Sequence, residues 1–205
     1  MALCYVFGFV LLLTSMNPGS TEGWSSLQKL EFILERGTLF QLWNIMIYVV
    51  FGAALVVLSA VLHRLMHEQG SFFLSFVTPF GYIWAGLVMA SGMIASVGLT
   101  AVADLHQADP QGAAQLWSTL SVVQNGLGGG VEVVGGLWVL LISLGSIRSG
   151  RVCSRTLNGL GLIVGVTGVA TIVPAWTFLG AVFGMTQILW FIGLSLALAR
   201  TGEDR

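Results

Sequence analysis

The segment from Leu157 to Ala199 contains no Asp, Glu, Lys or Arg. As a single helix it would measure about 65 Å at about 1.5 Å per residue, roughly twice the thickness of a bilayer core. The segment must therefore fold back on itself, and the stretch from Pro174 to Trp176 is the natural place for the turn. A hairpin of two membrane helices is predicted for the end of the chain.

The rest of the chain shares this apolar character. Of its 205 residues 56% are hydrophobic and only 8% are charged, whereas soluble domains carry about 25% charged residues. We therefore predict an all-α membrane protein, a bundle of about six transmembrane helices in a single domain covering residues 1–205. The predicted spans are about residues 2–15, 40–65, 79–103, 119–147, 157–173 and 178–199.

The first apolar run, from Ala2 to Leu13, is short for a membrane span. It also lacks the basic residues that precede the apolar part of a signal peptide. We interpret it as a first transmembrane helix. Cleavage as a signal sequence, with the small residues of "STEG" nearby, is the alternative and would leave five spans.

A short amphipathic helix is predicted between the first two spans. Ser25 and Gln28 have the spacing of a capping box, and Gly37 offers a stop. One helical face carries the apolar side chains Trp24, Leu27, Leu30 and Leu34. Such a helix is expected to lie outside, on the membrane surface.

The positions of the basic residues predict the orientation, because Lys and Arg are retained on the cytoplasmic side. With six spans, Lys29 and Arg36 fall on one side, next to several acidic residues. The opposite side carries Arg64, Arg148, Arg151, Arg155, Arg200 and Arg205. Both termini are therefore predicted to be cytoplasmic.

Glu132 lies among glycines and valines in one of the most apolar parts of the chain. In a continuous fourth helix it would be about 24 Å from Arg148, deep in the hydrocarbon. An acidic residue at that depth should face the bundle interior, and no Lys or Arg is at a similar depth to neutralise it. The candidate partners are polar residues of the other spans: Ser91, Thr167 and Gln187 near mid-depth, and Asn44 and Asn125 nearer the outer surface.

Two roles fit this carboxyl. Gly128, Glu132 and Gly136 recur every four residues, so Glu132 could anchor a glycine-packed helix contact by hydrogen bonding. Alternatively, it is a functional group that binds a proton or a polar ligand. We favour an unbroken fourth span, although a break at "GLGGG" would resemble the discontinuous helices of transporter sites.

Other kinds of site are not indicated. Cys4 and Cys153 have no metal-ligand spacing, His106 is predicted on the opposite side from His63 and His67, and no GxSxG, HExxH or phosphate-loop motif occurs. We predict no catalytic residue, no metal site and no cofactor. The absence of a basic block argues against nucleic-acid binding.

Five tryptophans are expected near span ends, at the membrane interface: Trp43, Trp117, Trp138, Trp176 and Trp190.

Four stretches, "FGYIWAGLVMASGMI", "LGGGVEVVGGLWVLL", "LNGLGLIVGVTGV" and "MTQILWFIGLSLAL", resemble the third to sixth helices of a known family. This is the family of bacterial multi-pass membrane proteins defined by domain of unknown function 4386. The resemblance runs from about Phe40 onward, and the short first helix departs from that family's longer start. It implies a polytopic protein of the bacterial inner (plasma) membrane and supplies no established catalytic residues.

The leading functional hypothesis is a non-enzymatic membrane protein. Its buried polar site around Glu132 would serve assembly, sensing or the binding of a small hydrophobic or polar ligand. The competing hypothesis is a small transporter or channel subunit that uses Glu132 as a proton or cation site; an intramembrane enzyme ranks third. The expected partners are the lipid bilayer, such a ligand and a second copy of the chain in a homo-oligomer.

Overall fold

The computed structural model describes residues 1–67, 74–149, 153–176 and 178–203. These residues form helices joined by short turns, with no strand among them, which confirms the all-α prediction. The α-helices are α1 (Ala2–Leu13), α2 (Ser26–Glu35), α3 (Gly37–Asn44), α4 (Phe51–His67), α5 (Leu74–His106), α6 (Pro110–Gln124), α7 (Val133–Ser149), α8 (Arg155–Ala170) and α9 (Leu179–Glu203). Two stretches of π-helix, the first π segment (Ile45–Val50) and the second π segment (Asn125–Gly129), follow α3 and α6.

In the part of the chain that the structure describes, four segments are long and apolar enough to cross a membrane. They are Gly37–Leu65, Phe76–His106, Pro110–Arg148 and Leu179–Ala199. Two shorter apolar helices, Ala2–Leu13 and Arg155–Ala170, pack with them. Six crossings and an external position for α2 therefore remain predictions.

Two local signals in the sequence correctly locate a helix start and a turn. The Ser25 hydroxyl accepts from the Gln28 N–H at 3.2 Å, and the Gln28 side chain accepts from the Ser25 N–H at 2.9 Å, so the capping box is present. A 3-10 turn, Pro174–Trp176, lies among the described residues between α8 and α9, where the sequence predicts the turn of the hairpin. Both signals depend on neighbouring residues only, which is why they can be read without the tertiary structure.

The main core contains a row of three tryptophans. The rings of Trp84 and Trp138 are 5.7 Å apart, and those of Trp138 and Trp190 are 5.9 Å apart. Trp138 and Trp190 have no exposed surface and Trp117 is also buried, so these three indoles face the protein interior. Trp43 is half-buried and Trp176 is 49% exposed. The expected depth of the five tryptophans near span ends stays a prediction.

Glycines make room for these indoles. A Cβ on Gly135 would come within 2.6 Å of the Trp84 ring, and one on Gly161 would come within 2.7 Å of the Trp190 nitrogen. Each large ring therefore lies directly against the backbone of a neighbouring helix. Close packing of this kind stabilises the buried indoles, because it gives them many dispersion contacts.

The α7 and α8 helices approach most closely at glycines. A Cβ on Gly136 would lie 2.6 Å from the Val169 nitrogen, and one on Gly165 would lie 2.7 Å from the Leu140 Cβ. Gly161 and Gly168 of α8 face α9 as well as α7, whereas Gly165 faces α7. In α9, Gly184 faces Phe9 of α1.

A second apolar cluster lies at one end of the bundle. It contains Met16, the fully buried Leu30 of α2, Phe40 and Trp117. The apolar face of α2 thus packs on the ends of α3, α5 and α6.

The polar residues near the helix ends make local contacts. His63 Nδ1 lies 2.8 Å from Thr78 Oγ1 and links α4 to α5, while His106 pairs with Glu31 of α2 at 3.8 Å. Arg151 and Arg205, on which the orientation partly depends, lie outside the described residues.

Candidate functional site

The helix that carries Glu132 is interrupted. Gly128 has φ +116°, a conformation that L side chains rarely adopt, and Gly130 also departs from helical geometry. Residues 130–132 are not helical, and α7 begins at Val133. The expected unbroken span is therefore wrong, because three adjacent glycines allow the chain to leave the helix at small steric cost.

Hydrogen bonds satisfy the backbone at the interruption. The Val131 N–H donates to the Asn125 carbonyl at 3.1 Å, and the Gly136 N–H donates to the Glu132 carbonyl at 2.8 Å. The Ser91 hydroxyl of α5 donates to the Gln124 carbonyl at 3.1 Å, at the point where α6 ends. Non-helical backbone within a membrane requires such partners, because lipid offers none.

Thr171 fixes the position of Glu132. The Glu132 N–H donates to Thr171 Oγ1 at 2.8 Å, and the Thr171 hydroxyl donates to the Gly168 carbonyl at 2.6 Å. Thr171 is buried and directly follows α8. The backbone of Glu132 is thus tied to the end of α8, which leaves its side chain free to point elsewhere.

The Glu132 side chain lines a cavity of about 340 Å³. The walls come from α1, α3, the first π segment, α4, α5, the second π segment with the residues after it, and α9. They are formed by Cys4, Tyr5, Gly8, Phe9, Leu12, Trp43, Ile47, Tyr48, Phe51, Trp84, Val88, Gly128, Gly129, Glu132, Gly180, Ala181, Phe183 and Gly184. Both π segments contribute to this wall, and π-helical turns are frequent at functional sites.

Aromatic rings form much of this wall and hold one another in place. Tyr5 meets Phe51 edge to face at 5.1 Å, and Phe51 meets Trp84 in the same manner at 5.5 Å. Trp43 packs on Tyr48 at 5.8 Å, and its indole N–H donates to the Gly8 carbonyl at 3.1 Å. The last bond anchors α1 against the end of α3.

A few polar groups surround the carboxyl within this apolar wall. Tyr5, Tyr48 and the Trp84 indole line the same cavity as Glu132. Trp84 Nε1 is buried and makes no hydrogen bond of regular geometry with the part of the chain that the structure describes. None of the described residues that line the cavity is Lys, Arg or His.

The other predicted site residues lie around the cavity or away from it. The Asn125 side chain is exposed, although its backbone belongs to the interruption. Thr167 donates to the Ile163 carbonyl of its own helix, and Asn44 donates to the Phe40 carbonyl of its own helix. Gln187 is fully buried, and neither polar atom of its amide is hydrogen-bonded within the described ranges. Of the six predicted residues, Glu132 lines the cavity and Ser91 and Asn125 support the interruption.

The sequence prediction missed Tyr5, Tyr48, Trp84 and Thr171. Thr171 lies one helical turn after Thr167, which is one of the candidate partners of Glu132 predicted from the sequence. A phenol in the middle of an apolar run, as at Tyr48, is the one signal that could have pointed to a polar site. Nothing local in the sequence assigns Tyr5, on the first apolar run, to the same site as Glu132.

No group of three potential ligands that could hold a metal ion occurs among the residues with described positions. Searches of family models, curated proteins and solved structures find no match to this chain. Its function must therefore be argued from the cavity itself.

Proposed function

We propose that this protein binds a small, mostly apolar ligand inside the membrane, with Glu132 meeting the ligand's polar group. The observation that carries the proposal is the cavity of about 340 Å³ at an interrupted helix, with Glu132 in an otherwise apolar and aromatic wall. Small-molecule sites have this size and this composition, a hydrophobic wall with a few placed polar groups.

The access route favours a ligand that dissolves in lipid. Leu12 of α1, at 42% exposure, and the exposed Ala181 of α9 both belong to the cavity wall. The cavity therefore opens between α1 and α9 on the side of the bundle. In a membrane this side faces the acyl chains, so a lipophilic molecule can enter laterally.

We propose six crossings with both termini cytoplasmic, in the inner membrane of a bacterium. The packing at the two ends of α1 supports the proposal of six crossings, because it indicates that α1 is one of them. Met1 shares a groove with Val61 and Leu198 at one end, whereas Met16 packs with Phe40 at the other. The segment from Met1 to Met16 thus runs between the two ends of the bundle. Membership of the family named above remains a prediction, as does a homo-oligomer.

A second candidate function is a small transporter or channel subunit with Glu132 as its proton or cation site. The helix interruption favours it, because transporters build such sites from discontinuous helices near mid-membrane. Transport requires access from both sides of the membrane, whereas binding requires one opening.

Photolabelling with a small apolar aryl diazirine tests the proposed cavity. In vesicles the probe should label lipid-facing residues such as Val97, which is 71% exposed. It should also label Phe51 and Trp84, which are buried but line the cavity. Mass spectrometry of the digested protein locates the adducts. Labelling of Val97 without Phe51 or Trp84 contradicts an accessible cavity.

A matched pair of variants makes the test specific. Ala181→Trp places an indole at the opening and should abolish labelling of Phe51 and Trp84. Gly86→Trp places the same indole on an exposed face of α5, where a Cβ meets nothing within 4 Å. In the Gly86→Trp variant, the diazirine should label Phe51 and Trp84 to the same extent as in the parent protein.

A further inference from the structure

We infer that the cavity selects a lipophilic cation, such as a hydrophobic amine or a quaternary onium ion. The inference rests on the proposed ligand cavity and adds the charge of its ligand. Three features carry it: one carboxyl, the lack of a basic partner in the wall, and aromatic rings around the same space.

No basic side chain among the described residues of the cavity wall pairs with Glu132. The titratable groups among the described lining residues are Cys4, Tyr5, Tyr48 and Glu132, none of which is cationic at neutral pH. The Glu132 backbone N–H is bound to Thr171, so it does not neutralise the side chain. A carboxyl in an apolar site must hold a proton or find a cation, and a ligand cation can take the place of the proton.

The aromatic wall fits the same ligand. Seven rings line the cavity together with Glu132: those of Tyr5, Phe9, Trp43, Tyr48, Phe51, Trp84 and Phe183. Ring faces attract cations and repel anions, and aromatic cages are used to recognise quaternary ammonium groups. A purely apolar ligand would gain nothing from the carboxyl, whereas a lipophilic cation uses both the rings and the charge.

Tetraphenylphosphonium is a suitable probe because it is a permanent lipophilic cation with two matched controls. Tetraphenylborate has the same shape and a negative charge, and triphenylphosphine oxide is a neutral relative. Each compound is tested for protection of Phe51 and Trp84 from diazirine labelling, and by equilibrium dialysis against the purified protein with empty micelles as background. We expect tetraphenylphosphonium alone to protect and to bind saturably.

Two variants separate the charge from the shape. Glu132→Gln keeps the size of the side chain and should weaken tetraphenylphosphonium binding at least about tenfold, as expected for loss of a charge-assisted contact. Asp104→Asn removes a carboxylate from an exposed site at the end of α5 and should bind like the parent. In the wild-type protein, affinity for the cation should fall as the pH is lowered, because protonation of Glu132 removes its charge. This titration also provides a test that does not depend on folding of the variant.

The outcomes distinguish this inference from the proposed function. If all three compounds protect equally and Glu132→Gln changes none of them, the cavity takes ligands without regard to charge and the cation inference is overturned. If the diazirine labels Phe51 and Trp84 but no compound protects them, the cation inference is also overturned. The labelling would still support an accessible cavity. Failure of the diazirine to label either residue instead contradicts the proposed function.

Discussion

The backbone N–H of Glu132 donates a hydrogen bond to the side-chain oxygen of Thr171 at 2.8 Å, across 39 residues of sequence. This bond joins the interruption between α6 and α7 to the end of α8. It holds the Glu132 backbone on one side while the carboxyl faces the cavity on the other. A backbone hydrogen bond of Glu132 thus positions the carboxyl, and the carboxyl itself takes no part in that bond.

Thr171→Val should destabilise the protein although the two side chains have nearly the same shape. The change removes the acceptor of the Glu132 N–H, and an unpaired buried donor costs about 1–3 kcal/mol. The midpoint of thermal unfolding in detergent measures the effect. Thr167→Val is the matched control, since the Thr167 hydroxyl donates within its own helix. Equal midpoints for the two variants would mean that the Glu132–Thr171 bond contributes nothing.

Gly128→Ala should destabilise the helix interruption. At φ +116° an L side chain is strained, and such strain costs about 1–3 kcal/mol. Gly126→Ala, in the same π segment, has helical geometry and open space around its Cβ, so it should be neutral. Unfolding midpoints and diazirine labelling of Trp84 should both respond to the first change. A stable, normally labelled Gly128→Ala protein would show that the interruption does not require this conformation.

Gly165→Ala should loosen the contact between α7 and α8. The added Cβ would lie 2.7 Å from the Leu140 Cβ and 3.0 Å from the Gly136 carbonyl oxygen, so the helices must separate. Overpacking of this kind costs about 1–3 kcal/mol, and Gly165→Leu should cost more. Gly159→Ala on the same helix meets nothing within 4 Å and should leave the unfolding midpoint unchanged or raise it. If Gly165→Ala is as stable as Gly159→Ala, the two helices are not in close contact.

Cysteine labelling tests the orientation. A cysteine in place of the exposed Gln107, close to Asp109, should react with an impermeant maleimide from outside the cell. A cysteine in place of the exposed Arg155 should react only after the membrane is opened. If the cysteine at position 155 reacts from outside and the one at position 107 reacts only after the membrane is opened, the proposed orientation is wrong.

The native thiols give little background in that experiment. Cys4 is buried, and burial raises the pKa of the Cys153 thiol, so less thiolate is present at neutral pH than for a free cysteine. Reaction at Cys153 should therefore be slow near pH 7 and faster as the pH rises. A Cys153→Ser protein without an added cysteine measures the background labelling that does not come from Cys153.

The sequence by itself determined where most of the helices are and why they are apolar. The uncharged run from Leu157 to Ala199, the turn at Pro174–Trp176 and the capping box at Ser25 all depend on residues close together in the chain. It also singled out Glu132, because an isolated carboxyl in an apolar stretch is conspicuous without any structure.

Only the tertiary structure decided which groups surround Glu132. Burial in lipid and burial in protein demand the same apolar composition, so the sequence could not show that Trp138 and Trp190 face the core of the bundle. The partner at Thr171 and the rings of Tyr5 and Tyr48 come from other helices. Their meeting depends on how closely glycine-rich helices approach one another, which is a property of the packed bundle and not of any one segment.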